Sequence, residues 1–370
     1  MERDFLLYAC ALNRILAYNC RLSRQLVDSF EHIGDIFSLS EGQLRELMPR
    51  GENYIREILN PNSLEWAFKE IAWARQYAVQ LLYLYDDKYP YRLRECPDAP
   101  LMLYYIGNAN LNMQKVLSIV GTRRASPYGK ESCRKIVEQI SLNEEKTLIV
   151  SGLAFGIDAV AHKSAIEFGL PTIAVLPTGA DSIYPSMHRG LAMQIIDNGG
   201  LISDFPTLTG AQKANFVRRN RIIAGMADAT LLAESFAHGG GLITTAHASS
   251  YSREVFAVPG RLTDSSFAGC NKIIASNVAN IVTAPESIER VMCWFPVHKA
   301  PRQASLFKDE YNQEKKAIIK ALGRSPMNIE EILTITNIPV SELNVNLVEL
   351  EMDGVISVSG GNNYTLLDFM

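Results

Sequence analysis

The sequence predicts an α/β protein: an extended Rossmann-like, doubly wound, mostly parallel sheet, with a small helical domain before it and a winged-helix domain after it. Three observations carry this. Continuous apolar, β-branched runs alternate with helical stretches through the middle of the chain. Apolar residues recur at helical spacing ahead of them, and three helical segments with a glycine-centred strand pair follow.

Residues 1–80 place Leu6, Leu7, Leu12, Ile15, Leu16, Leu22, Leu26, Val27 and Phe30 at helical intervals. Breaks at His32-Ile-Gly34, Ser40-Glu-Gly42 and Pro49-Arg-Gly51 predict short helices in a small bundle. In residues 81–295, Leu82–Gly107 predicts extra strands. The runs Val116–Gly121, Thr147–Gly152, Thr172–Pro177, Leu201–Phe205, Ala229–Glu234, Val255–Pro259 and Ile281–Thr283 predict a parallel sheet covered on both faces, with helices such as Lys130–Leu142, Asp158–Phe168 and His188–Asn198 between them. Residues 296–312 read as a polar linker. In 313–370, Glu314–Leu322, Ile329–Thr334 and Val340–Asp353 predict three helices, and a hairpin about Gly360-Gly361 completes a winged helix; a helix-turn-helix without the wing is the rival.

The 370 residues have a net charge of −4, so any nucleic-acid binding must come from a local patch. The sequence shows no signal peptide or membrane span, and its six cysteines form no C-x-x-C pair. It is therefore expected to work in the cytoplasm with buried free thiols. The scattered histidines suggest no metal site, and no cofactor is expected.

The unusual residues gather after the strands, in turns that a parallel sheet lines up along one edge. These turns are Gly121-Thr-Arg-Arg-Ala-Ser126, Ser151-Gly-Leu-Ala-Phe-Gly-Ile-Asp158, Pro177–Pro185, the segment into Lys213 and Phe216, His238–Thr245, and Pro259-Gly260 with Gly269-Cys-Asn271. Glycines there let a ligand approach the backbone. Phe216-Val-Arg-Arg-Asn-Arg221, with Lys213 before it, reads as a helix start presenting cations and one ring. Such a combination suits a phosphate backbone with unpaired bases, and Phe216 is the ring expected to stack. Arg123 and Arg124 face the same edge and can grip phosphate bidentately. The candidate nucleic-acid-binding set is Arg123, Arg124, Gly152, Phe155, Gly156, Lys213, Phe216, Arg218, Arg219, Asn220, Arg221, Gly240, Gly241 and Asn271. Reversing the charge of Arg219 and Arg221 is expected to abolish binding and spare folding.

Other chemistries find no support. Gly152-x-x-x-Gly156 is not a dinucleotide fingerprint, and Gly129-Lys130 lacks the rest of a P-loop. Asp158 is expected to cap its helix and His162 to pack. Ser151 and Ser182 lack a triad.

These motifs closely resemble the DNA-processing protein A family (DprA, also called Smf) of bacteria. The residues that carry the resemblance are Ile119-Val-Gly-Thr-Arg-Arg124, Ser151-Gly-Leu-Ala-x-Gly-Ile-Asp158, Ile183-Tyr-Pro185, Phe216-x-x-Arg-Asn-Arg221, Gly241-x-Ile-Thr244 and Gly269-x-Asn271, in order over about two hundred residues. The resemblance implies an extended Rossmann domain that binds single-stranded DNA, forms a homodimer, and helps load the RecA recombinase during natural transformation, without enzymatic activity. It also implies a helix-hairpin-helix-like N-terminal domain and a C-terminal winged helix.

Two segments depart from that pattern. Ile15-Leu-Ala-Tyr-Asn-Cys-Arg21 lacks the glycines of a DNA-binding hairpin, so the first bundle is expected to be structural or to contact protein. From Leu306 to Met370, ten acidic residues face five Lys or Arg, a balance poorly suited to duplex DNA. Two rival readings stay open. One is a nucleotide-phosphate hydrolase of the lysine-decarboxylase-like group, although Leu242–Ser252 holds no acid after the Gly239-Gly-Gly turn. The other is an interaction scaffold, with Gln303-Ala-Ser-Leu-Phe307 as a sliding-clamp-binding pentapeptide.

Overall fold

Branched aliphatic residues, stiff at χ1, fill the strands of one large sheet and bury both of its faces. The structure, a computed structural model, describes residues 2–16, 19–294, 311–322, 327–353, 355–359 and 363–366. The strands in chain order are β1 (Gln80–Tyr83), β2 (Met102–Gly107), β3 (Lys115–Gly121), β4 (Thr147–Ser151), β5 (Thr172–Val175), β6 (Gly199–Ser203), β7 (Ala229–Glu234), β8 (Glu254–Ala257) and β9 (Asn280–Ile281). They form a nine-stranded sheet in the order β1-β2-β6-β5-β4-β3-β7-β8-β9. From β6 to β9 every pairing is parallel; β1 and β2 add to the β6 edge antiparallel.

The chain starts the parallel sheet at β3, steps outward to β6, then returns to the other side of β3 as β7. The strand order therefore reverses between β3 and β7, and turns leaving those two strands diverge there. Such a reversal is where open α/β sheets bind ligands. The helices Pro127–Ser141, Ile157–Glu167 and Arg189–Asn198 pack against one another in that order, and Lys213–Gly225 packs on Gly241–Ser250. Ser126 caps the first of these, accepting a hydrogen bond from the Gly129 N–H, and Pro127 begins it.

Ahead of the sheet lie helices Glu2–Ile15, Cys20–Asp28, Glu41–Leu47, Glu52–Ile58 and Pro61–Gln76. Their apolar face does not close on itself: Leu12, Leu16, Ile36 and Ile71 share one core with Leu84, Leu93 and Leu103. The buried Glu70 carboxylate accepts from the Thr207 N–H at 2.8 Å and the Thr207 hydroxyl at 2.6 Å, tying the helices to the loop beyond β6. By contacts the chain divides into two compact units, Met1–Pro296 and Val297–Met370.

In the second unit, helices Gln313–Leu322, Ile329–Thr336 and Val340–Met352 enclose Ile318, Ile332, Leu343, Leu347 and Leu350. Asn328 and Glu331 form a reciprocal capping box at the start of the second helix. Strands β10 (Met327–Asn328), β11 (Ile356–Ser359) and β12 (Asn363–Leu366) form an antiparallel sheet in the order β10-β12-β11. The short β10 is an addition to the expected hairpin. Most of the expected linker, including Gln303–Phe307, lies outside the described residues.

The cysteines are all free, and Cys10, Cys96, Cys133 and Cys270 are buried. Two correct the expectation of burial: Cys20 is half-buried and Cys293 exposed. Among the described residues, no group of three His, Cys, Asp or Glu could hold a metal ion, and no helix is long and apolar enough to cross a membrane.

Candidate nucleic-acid interface

The helix Lys213–Gly225 sorts its side chains by the 3.6-residue repeat. Lys213, Phe216, Val217 and Asn220 fall at i, i+3, i+4 and i+7 and share the outward side: Lys213 and Val217 are exposed, Phe216 and Asn220 half-buried. Arg219 precedes Ile222 by three and Ile223 by four, so it belongs to the apolar side. It is 3% exposed.

Its guanidinium instead builds the turn after β4. Arg219 Nη1 donates to the Gly152 carbonyl at 2.6 Å and also to the Val175 carbonyl. A Cβ on Gly152 would stand 2.4 Å from that nitrogen, which is why glycine is required there. Burial lowers the Arg219 pKa to about 10, against the pull of Asp158. Asp158 accepts from the Ala154 N–H at 3.2 Å, and burial raises its pKa despite Arg219. This corrects the expectation that Asp158 caps its helix: the N-cap is Gly156, with no side-chain cap bond, and Asp158 instead holds the turn before it.

Arg221 is also turned inward, at 6% exposure. Its Nη2 lies 2.6 Å from Asp204 Oδ2, and Nη1 donates to the Asp98 carbonyl. Burial opposes its charge, but Asp204 and its neighbours outweigh that and raise its pKa. Arg218 shares the same carboxylate at 3.2 Å and covers the buried Phe205 ring, 5.0 Å from its centroid. These findings correct the expectation that Arg218, Arg219 and Arg221 all point cations at a ligand. They hold the helix to the turns beneath it, so charge reversal of Arg219 or Arg221 would strike the fold.

Besides Lys213, the candidate cations that face solvent come from the turn after β3. Arg123 and Arg124 are both exposed. The Arg123 guanidinium lies over the Phe216 ring at 4.9 Å, and Tyr184 meets that ring edge-on at 5.4 Å. Phe155, 40% exposed, contacts His188 edge-on at 4.8 Å, and the His188 Nδ1 lies 2.8 Å from the Leu153 carbonyl. One ridge therefore brings Arg123, Phe216 and Tyr184 into contact, with Phe155 and His188 paired on the turn after β4. The arginine reaches this arrangement because Gly156, at φ +77°, lets its backbone run against the Thr122 and Arg123 carbonyls.

The remaining candidates separate. Gly240 has open space where a Cβ would stand, whereas a Cβ on Gly241 would strike Leu232 at 2.7 Å. Gly241, like Gly152 and Gly156, is explained by close packing. Asn271 uses its amide on the main chain, accepting from the Gly260 N–H at 3.1 Å and donating to the Gly260 carbonyl at 3.0 Å.

Sequence reasoning missed Glu234, the acid that ends the otherwise apolar β7. Fully buried, its Oε2 accepts from the Ser126 N–H at 2.8 Å and the Ser126 hydroxyl at 3.1 Å. Its backbone carbonyl accepts from the Thr122 N–H at 2.8 Å. It thus clamps the turn after β3 at the strand reversal. A lone carboxylate closing an apolar strand was the available signal.

His162 is wholly buried with Nδ1 2.7 Å from the Thr172 hydroxyl, a packing residue. In the second unit, the third helix Val340–Met352 contains no Lys or Arg and exposes Val345, Val348 and Met352.

Comparison with known proteins agrees with these two units. Residues 80–292 match the family DNA recombination-mediator protein A, and residues 299–362 match the DprA winged helix domain. Protein Smf of Synechocystis sp. is 28% identical over 391 residues, covering 96% of this chain and 98% of its own. The X-ray structure of DNA processing protein A from Streptococcus pneumoniae superposes with a TM-score of 0.56 at 33% identity, covering 71% of this chain and 96% of that one. DNA processing protein A from Helicobacter pylori, whose structure is described for its single-stranded DNA binding mode, gives a TM-score of 0.52 at 25% identity, covering 58% and 96%.

Proposed function

Because the chain belongs to the DNA recombination-mediator protein A family, known as DprA or Smf, we propose that it holds single-stranded DNA on the ridge of Arg123, Phe216 and Tyr184 and delivers it to the RecA recombinase. The observation that carries this reading is the Arg123 guanidinium lying on the Phe216 ring at the open edge of the sheet. A guanidinium stacked on a ring still presents its other face to a base and its N–H edge to a phosphate. Lys213, Arg124 and Asn220 border the ridge, and Gly240 leaves room for backbone approach across the strand reversal. The ridge's exposed arginines, Arg123 and Arg124, stand on a turn rather than along a helix that could enter a major groove, so an unpaired strand is the proposed substrate.

The protein acts by binding. Glu234, the acid nearest in sequence to the Gly239–Gly241 turn, is committed to Ser126, and the family comparisons give the hydrolase reading no support. The acidic and apolar third helix of the winged unit suits a protein partner better than duplex DNA. A homodimer, a cytoplasmic setting and a sliding-clamp contact through Gln303–Phe307 belong to the same proposal, the last resting on sequence alone.

The test is fluorescence anisotropy of labelled oligonucleotides across a salt series. Phe216→Ala is expected to weaken single-strand binding by about 1–3 kcal/mol without changing the salt slope, since stacking releases no counterions. A variant that binds single strands as the parent does, while folded, would defeat the proposal.

A further inference from the structure

The sheet edge carries a second recess beyond the ridge, and nothing above accounts for it. It is a groove of about 930 Å³ between the helix start at Ser126–Tyr128 and the loop after β8. That volume falls within the range of small-molecule sites. We infer that this groove seats a further nucleotide of the same DNA strand, its base laid on the Tyr128 ring. The inference rests on the proposed single-strand binding and extends it to a second contact point.

Three features favour a nucleoside unit. Tyr128 stands 53% exposed at the groove wall, although its ring contacts Phe267 at 5.3 Å and Phe267 is buried. Its hydroxyl lies only 3.4 Å from the Pro259 carbonyl across the groove, a weak tie. A ring half open to solvent and braced by a buried neighbour is what a base can stack on. Second, Arg261, Asp264 and Ser266 line the groove on the side of the loop after β8. One arginine against one carboxylate leaves the groove close to neutral. That balance suits a base and sugar with a single bridging phosphate, and disfavours a polyphosphate.

Third, the wall is built to hold its shape. Asn271 grips both backbone groups of Gly260, and a Cβ on Gly260 would stand 2.2 Å from Phe267 Cβ. The sequence pairing of Pro259-Gly260 with Gly269-Cys-Asn271, which the ridge does not use, is thereby explained as the construction of this wall.

Position fits a continuing strand. The ridge takes Arg123 from the turn after β3, Tyr184 from beyond β5 and Phe216 from the helix beyond β6. The groove lies where the segment after Arg123 is fastened by Ser126 to the end of β7 and meets Gly260 after β8. At the usual spacing between strands the two contact points stand roughly 10–15 Å apart across the reversal. A few nucleotides of an extended strand cover that distance.

The experiment measures anisotropy with labelled oligothymidylates of about four and about twenty nucleotides, bracketing common single-strand footprints. Tyr128→Ala is expected to weaken the long oligonucleotide by roughly 5- to 150-fold, the range a lost base stack gives. It should leave the short one within about twofold of the parent, a difference within the additivity expected of independent sites. Tyr128→Phe, which keeps the ring, should bind both as the parent does. Arg261→Ala should lower the salt slope for the long oligonucleotide by about 1. Unchanged thermal unfolding of Tyr128→Ala would assign its loss to the contact.

Parental affinity of Tyr128→Ala for the long oligonucleotide would overturn the inference. Equal losses at both lengths would also overturn it, since the ring would then be serving the ridge or the fold. Tyr128-dependent binding of free thymidine monophosphate, with long-oligonucleotide affinity intact, would mark a site for free nucleotide instead. Phe216→Ala should weaken both lengths; if it weakens neither, the ridge reading fails separately.

Discussion

Arg221 and Arg123 carry the same group and lie on the same side of the sheet's edge, yet they live in different media. Arg221 has surrendered nearly all its water to Asp204 and a carbonyl, while Arg123 keeps its water on one side and an aromatic ring on the other. The first can be tolerated only because its charge is matched at 2.6 Å. The second remains available because its guanidinium is exposed and its contact is with a half-buried ring. A basic cluster in such a protein is therefore two devices in series. Inner guanidiniums pin a helix to the turns, and outer ones use the rigidity this creates.

The sharpest way to break that division is to reverse the inner charge. Arg221→Glu would set a carboxylate against Asp204 and remove the nearer of its two guanidiniums, leaving Arg218 as its counter-charge. Breaking a buried pair typically costs about 3–5 kcal/mol, and adding repulsion makes it worse. The expected outcome is loss of a cooperative thermal transition and of soluble yield. A folded Arg221→Glu protein that merely fails to bind DNA would show that the guanidinium works outward, contrary to its placement.

Reversing the outer charge should do the opposite. Arg123→Glu is expected to leave the thermal midpoint within the small range of surface substitutions, about ±0.5 kcal/mol. It should still weaken single-strand binding and reduce the salt slope by about 1 or more. Arg123→Lys sharpens the comparison further. It preserves the charge but not the planar group that stacks on Phe216, so the slope should survive while affinity falls. If Arg123→Lys binds as the parent does, the stacked guanidinium contributes charge alone.

How much of this was legible beforehand depends on the reach of each interaction. The parallel sheet, the helices and the winged unit follow from periodicities that act within a few residues. The turns could be placed on one edge because strand direction decides it. The split among the arginines was partly readable too: Arg219 sits three and four residues before Ile222 and Ile223, which already assigns it to the apolar side. Arg221 was not, because its partner Asp204 lies on another element and no local rule brings it near. Glu234 stayed hidden for the same reason, since its contact with Ser126 spans 108 positions. The groove at Tyr128 needed the fold itself, because its two walls come from segments more than a hundred residues apart.

A further effect concerns the packing beneath the inner cluster. His162 is buried with Thr172, and burial, aided by Arg219 and His188, pushes its pKa from 6.5 down to about 3. A histidine held neutral in the fold but free to protonate when unfolded contributes stability that is fully present above pH 6.5. That stability is lost as pH falls toward 3. Asp158 works in the other sense: burial raises its pKa, so its contribution is present at low pH and lost as the carboxyl ionises. Thermal midpoints measured from pH 7 down to pH 4 separate the two. The parent should lose stability across this window, and His162→Gln should begin lower but decline less steeply. An equal slope in both proteins would show that the acid sensitivity resides elsewhere than in the buried imidazole.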